Sequence, residues 1–225
     1  MLEARKSAWF ESVFAVYNRN LLRRRFNSLQ VSGLDFLTER DKTFPLLIYA
    51  NHSSWWDGLV AFQISRETKL DSFLMMEEKQ LRKLFLFRKL GAFSVVREKP
   101  REAMKSVEYA AKILREKPNR TVWLFPQGEI LPSEIRPLKF YGGLTKIIEK
   151  AERCSVVPLA FRFEFSCDFK PDIFVKIGEP ELFNSGDNFS PKRIKAVCES
   201  KLTTTLDTLK AEIIQQNFRH FKKII

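Results

Sequence analysis

Short apolar runs alternate along this chain with segments whose apolar residues recur every three or four positions, and no other feature limits its fold so strongly. Residues 44–50 (FPLLIYA) read as a buried strand, 58–67 as a helix, 70–76 as a second strand and 79–89 as a basic helix. The alternation continues with a strand over 92–96 and a helix over 101–117 that carries Ala103, Val107, Ala110, Ala111 and Leu114 on one face before Pro118 stops it. A strand over 121–125 (TVWLF), a helix over 143–153, and strands over 155–161 and 173–177 follow, the last closed by Gly178 and Pro180. A polar turn over 184–191 (NSGDNFSP) leads into a terminal helix with Ile194, Val197, Leu202, Leu206, Leu209 and Ile213 toward the core. Alternation of this kind predicts an α/β fold with a largely parallel central sheet covered by helices.

The chain of 225 residues has the length of one ordinary domain, and 44% hydrophobic with 29% charged residues excludes a disordered or collagenous polymer. Cys154, Cys167 and Cys198 have neither disulfide-framework nor zinc spacing, so a reducing compartment and no metal are expected. No apolar stretch approaches the roughly 20 residues of a spanning helix. The first residues carry Glu3, Arg5, Lys6 and Glu11 where a secretion signal would be apolar, so secretion is not expected.

The net charge of +12 is concentrated: six Lys or Arg face two acids in residues 1–30, nine face four in 76–105, and eight face three in 191–225. A positive face of this kind suits a polyanion: nucleic acid, an anionic membrane surface or a phosphorylated substrate. The N-terminal segment favours the membrane. Between Glu3 and Phe26, Trp9, Phe10, Val13, Phe14, Val16, Tyr17, Leu21 and Leu22 recur largely at helical spacing, with Arg19, Arg23, Arg24 and Arg25 at the end. This predicts an N-terminal amphipathic, basic helix whose apolar stripe packs on the core, docks on lipid, or does both on different faces. Nucleic acid is disfavoured, because neither an RNP aromatic signature nor a zinc finger is present.

Of the two histidines, His220 lies in the basic C-terminal FRHFKK, whereas His52 directly follows a buried strand in Asn51-His52-Ser53-Ser54-Trp55-Trp56-Asp57-Gly58. Carboxyl ends of strands are where open α/β sheets place ligands. On a regular helix, Asp57 would point about 140° away from His52, so the two meet only if Ser53 and Ser54 turn the chain first. A carboxylate on one imidazole nitrogen fixes the tautomer and leaves the other nitrogen to take a proton from a hydroxyl. The chain has no GxSxG elbow, catalytic-cysteine signature or P-loop, so a base without a protein nucleophile points to direct transfer onto a substrate hydroxyl.

These residues resemble the glycerolipid and lysophospholipid acyltransferases, whose hallmark is NHxxxxD. Asn51-His52 through Asp57 is similar to the first block of that family, and residues 91–97 (GAFSVVR) resemble the second. Residues 125–129 (FPQGE) are similar to the third, usually FPEGT, and 156–159 (VVPL) to the fourth. The resemblance implies fatty acyl transfer from acyl-CoA or acyl carrier protein, as co-substrate and with no further cofactor, to a hydroxyl on a lipid acceptor. By that resemblance His52 is the general base, Asp57 orients it, Arg97 binds the acceptor phosphate, and Gln127, Gly128 and Glu129 shape the acceptor pocket. Read from the residues alone, Arg97 could instead pair with Glu98 or Glu102, and Gly128 could simply make a turn.

The chain departs from the family at the acceptor blocks. Gln127 stands where Glu is usual, Glu129-Ile130 where Thr-Arg is frequent, and Phe140-Tyr141-Gly142-Gly143 where FxKG is expected, leaving Lys139 as a replacement cation. A less anionic acceptor, a glycosylated lipid included, is the expectation. The reading therefore comprises a membrane-docking helix over 1–30, an acyltransferase domain over 31–225, and a peripheral position on the cytoplasmic face of a membrane. The rival reading is a non-catalytic basic domain that binds lipid or nucleic acid.

Overall fold

Leu46–Ala50 (β2), five consecutive buried residues, stands inside the sheet of the computed structural model, which describes residues 1–225 except 167, 185, 187 and 188. With Ser28–Ser32 (β1), Asp71–Glu77 (β3), Ala92–Val95 (β4), Arg120–Leu124 (β5), Arg153–Glu164 (β6), Asp172–Ile177 (β7), Glu181–Asn184 (β8) and Lys222–Lys223 (β9) it forms one sheet. The strand order is β4-β3-β5-β2-β6-β7-β1-β9, with β8 also on β6. Strands β4 through β6 are mutually parallel, and β7 reverses against β6 while running parallel to β1. The largely parallel sheet expected from the sequence is present.

The pleat sends alternate residues to two cores. Leu47 and Tyr49 of β2 enter the core beneath Pro100–Glu116 (α5), Gly143–Ala151 (α6) and Pro191–Ile214 (α7). Leu46, Ile48 and Ala50 enter the opposite core, beneath Ala8–Arg25 (α1), Asp35–Thr38 (α2) and Asp57–Glu67 (α3). Ser7 caps α1 by accepting the Phe10 N–H, Glu11 lies in its first turn and Arg23, Arg24 and Arg25 in its last, each charge suited to its end of the helix dipole. On the inner face Asn18 and Leu22 are buried, Asn18 donating to the Leu59 carbonyl at 3.1 Å. On the outer face Trp9, Val13, Val16 and Tyr17 are exposed. Among the described residues no helix is long and apolar enough to cross a membrane.

Several elements differ from the sequence expectation. The basic helix expected over 79–89 is Glu78–Lys83 (α4) followed by a 3-10 helix, Phe85–Leu90. The crossover from β3 must return to the start of β4, and it does so at Gly91, whose φ of 99° and contact with the Ser72 carbonyl leave no room for a Cβ. The strand expected over 155–161 is longer, and Pro158 sits within it. The Gly178 N–H donates to the Pro158 carbonyl, so the edge on which Pro158 lacks a donor faces the corner between β7 and β8 rather than a ladder. Strands β1, β8 and β9 were not foreseen. Cys154 and Cys198 are buried free thiols, both pushed up to about 12 by burial, while Cys167 and residues 185, 187 and 188 of the polar turn lie outside the described residues.

Candidate active site

The carboxyl ends of β2, β4 and β5 converge on one cleft, and each delivers a residue singled out in the sequence. After Ala50 the Asn51 side chain clamps onto β6, donating to the Phe161 carbonyl at 3.1 Å and accepting its N–H at 2.8 Å. Residues 52–56 then turn, and Asp57 opens α3. The carboxylate does not cap its own helix. It folds back, so that Asp57 Oδ2 accepts the N–H groups of Ser53 at 2.8 Å and Ser54 at 2.9 Å and stands 2.8 Å from His52 Nδ1.

This geometry settles the imidazole tautomer. An oxygen that already accepts two backbone N–H groups is an acceptor toward Nδ1 as well, so Nδ1 carries the hydrogen and Nε2 keeps its lone pair for the cleft. Asp57 is fully buried, and Oδ1 has no hydrogen-bond partner among the described residues. Burial holds its carboxyl above the ordinary range, opposed by His52 and the two backbone donors.

His52 itself is fixed on three sides. Its ring stacks on Phe125 with centroids 4.4 Å apart, its N–H donates to Gln127 Oε1 at 3.1 Å, and its carbonyl accepts the Leu131 N–H at 2.8 Å. Gln127 is thus a buried support behind His52, outside the cleft lining.

The cleft holds about 680 Å³. Its apolar walls come from both sides of the sheet: Phe14, Phe62 and Phe87 on the α1–α3 side, Met104, Val107 and Ile147 on the α5–α6 side. Its polar lining includes His52, Glu77, Arg97, Glu129 and Lys146. Arg97 lies 3.8 Å from Glu77 Oε2, with its guanidinium 5.6 Å from the centre of the Tyr141 ring, so neither Glu98 nor Glu102 engages it. Gly128, at φ 72°, lies against both groups: a Cβ there would come within 2.7 Å of Arg97 Nη1 and 2.9 Å of the Tyr141 ring. It makes the turn after Pro126 and also leaves room for the guanidinium.

Glu129 and Ile130 line the cleft, whereas Lys139 is exposed outside it. The cation that lines the cleft from α6 is Lys146, which sequence reasoning missed. Its position one turn into an α6 that starts at Gly143, directly after Gly142, was the signal available. The roles of Asn51 and Tyr141 were also missed. An Asn directly after a buried strand was the cue for the first, since such side chains readily extend backbone hydrogen bonding. Among the described residues no group of three His, Cys, Asp or Glu is placed to hold a metal ion.

No curated protein matches the chain. A family model described as Acyltransferase matches residues 28–162, from β1 through most of β6, including every strand that feeds the cleft. The chain belongs to the acyltransferase family and is a transferase enzyme.

Proposed function

We propose that the enzyme moves a fatty acyl group from the thioester of acyl-CoA or acyl carrier protein to a hydroxyl of a glycerolipid or other lipid acceptor, working peripherally at the cytoplasmic face of a membrane. The observation that carries this reading is the His52 Nδ1–Asp57 Oδ2 pair at 2.8 Å, held at the polar part of a cleft with long apolar walls. His52 Nε2 takes the acceptor hydroxyl proton as that oxygen attacks the thioester carbonyl. Asp57 stabilises the resulting imidazolium. The tetrahedral intermediate collapses with cleavage of the C–S bond, the electron pair leaves on sulfur, and the proton on Nε2 passes to it, giving ester and free thiol.

Arg97 and Lys146 are the cations available to an acceptor headgroup, and Glu77 and Glu129 stand in the same lining. With two positive and two negative side chains, the mouth suits an acceptor bearing one negative charge or none, glycosylated lipids included, better than a phosphate dianion. The exposed outer face of α1, Trp9, Val13, Val16 and Tyr17 ahead of three arginines, supports attachment to anionic lipid. The deciding experiment incubates purified protein with labelled acyl-CoA and acyl carrier protein donors over an extracted lipid mixture. Labelled lipid ester from the native chain and none from a folded His52→Ala variant is the expected result; equal product from both would sink the mechanism.

A further inference from the structure

At the cleft end the paired strands β6 and β7, with β1 alongside β7, extend beyond β2. The β2–β6 register stops at Ala50 and Leu159, and the Asn51 clamp reaches only Phe161, yet β6 and β7 stay paired as far as Glu164 and Asp172. The three residues after Phe161 carry the hairpin about 10 Å beyond that level before it turns. Two large aromatics lie in the turn, Phe165 at 74% exposure and Phe169 at 94%, the highest among the exposed apolar residues described.

The tip does not stand alone. The Asn27 N–H donates to the Pro171 carbonyl at 3.0 Å and Asn27 Nδ2 to Asp172 Oδ1 at 3.0 Å, tying the base of the turn to the chain leaving α1. Lys170 Nζ reaches the Arg23 carbonyl at 3.4 Å, so the hairpin abuts the α1 end that bears Arg23, Arg24 and Arg25. Those three side chains are exposed, with no ion-pair partner among the described residues. The acid within the turn, Asp168, is exposed, and its Oδ1 accepts the Phe169 N–H at 2.6 Å. A series of ring contacts, Phe163 to Phe26 to Trp56 to Trp55, connects the hairpin to the cleft, where Trp55 is part of the lining and half exposed.

We propose that this hairpin tip is a membrane anchor distinct from the outer face of α1: Phe165 and Phe169 insert into an anionic bilayer beside the arginine cluster and hold the Trp55 side of the cleft at the lipid surface. Exposed rings flanked by unpaired arginines complement an interface of acyl chains beneath anionic headgroups. A polar protein partner would leave the two rings without matching chemistry. The inference rests on the surface-acting reading above.

Flotation with phosphatidylcholine vesicles, with and without phosphatidylglycerol, tests it on the full chain. Replacing both residues, Phe165→Ala with Phe169→Ala, should lower partition onto the anionic vesicles by about tenfold, while leucine at both positions retains it. The melting temperature and the transfer rate on a water-soluble, short-chain acceptor should be unchanged in both variants. Equal flotation of the alanine variant and the native chain would overturn the proposal. So would an alanine variant that floats normally but loses self-association, which would assign the tip to a second copy. A native chain that binds neither vesicle would overturn the surface-acting reading itself. Binding that ignores the phenylalanines but falls with Trp9→Ser and Val16→Ser would leave that reading intact and remove only the hairpin.

Discussion

Gln127 Oε1 accepts the backbone N–H of His52 at 3.1 Å, joining the turn after β5 to the second residue after β2. The carboxamide is buried, so removing the acceptor leaves an N–H unpaired beside the imidazole. Gln127→Leu should therefore lower kcat by about 10- to 100-fold through misplacement of His52. Gln127→Glu keeps an acceptor at that position and should recover most of the rate. Steady-state kinetics on variants with unchanged circular dichroism would check both. Full activity in the leucine variant would show that the stacked Phe125 ring and the Leu131 N–H suffice to hold His52.

Asp57 places activity and stability in opposition. Burial is the first cause of its raised carboxyl, so its ionised form is disfavoured in the folded protein relative to the unfolded chain. The folded state then binds the proton more tightly, and the contribution of this group to stability, complete below the ordinary value of 3.8, declines as pH rises through the folded value. Asp57→Asn removes that decline. It should hold or raise the melting temperature at neutral pH while lowering transfer on the order of 10³- to 10⁴-fold, because a neutral amide cannot stabilise the imidazolium. Thermal melts across pH, paired with rates, would test this; a lower melting temperature in the variant would mean that the hydrogen bonds from Ser53 and Ser54 outweigh the burial.

The strand at 44–50 and the His52–Asp57 pair were legible because their determinants are local. A continuous apolar run marks a strand buried on both faces, and five residues with two serines suffice for the turn. β1 (SLQVS) is half polar, and its place is set by pairing with β7, more than 140 residues away in the chain, as its Ser28–Asp172 hydrogen bond illustrates. Window patterns do not carry such a contact. For the same reason the sequence located Gln127 but not the direction of its side chain, which depends on β5 lying beside β2. Lys139 and Lys146 are both plausible cations in sequence, and the turn into α6 decides which of them lines the cleft.

Glu134 supplies a test on the loop that supports His52. Three residues after Leu131, its carboxylate pairs with Arg162 Nη1 and Lys210 Nζ, each at 2.6 Å, which holds it down at about 2. A depressed carboxyl contributes stability that is present above its unfolded value and lost as pH falls through the folded one. Glu134→Gln should therefore flatten the loss of stability between about pH 4.5 and 2, read by thermal melts at low ionic strength. An unchanged acid limb would show that solvent screening already cancels these exposed pairs.

Gly128 and Arg97 give the sharpest test of the acceptor pocket. A methyl group on Gly128 would meet Arg97 Nη1 at 2.7 Å and the Tyr141 ring at 2.9 Å, on a backbone at φ 72° that side chains rarely adopt. Gly128→Ala should destabilise the fold by about 1–2 kcal/mol and push the guanidinium off the Tyr141 face. Arg97→Ala removes the guanidinium without the strain. If Arg97 grips the headgroup, both variants should raise KM for an acceptor with a phosphate and leave KM for a neutral glycosylated acceptor nearly unchanged, with only Gly128→Ala melting lower. Arg97→Lys keeps the charge but loses the planar fork, so it should recover part of the phosphate selectivity. Equal losses on both acceptors would instead mean that Arg97, through Glu77 and Tyr141, supports the shape of the cleft and does not read acceptor charge.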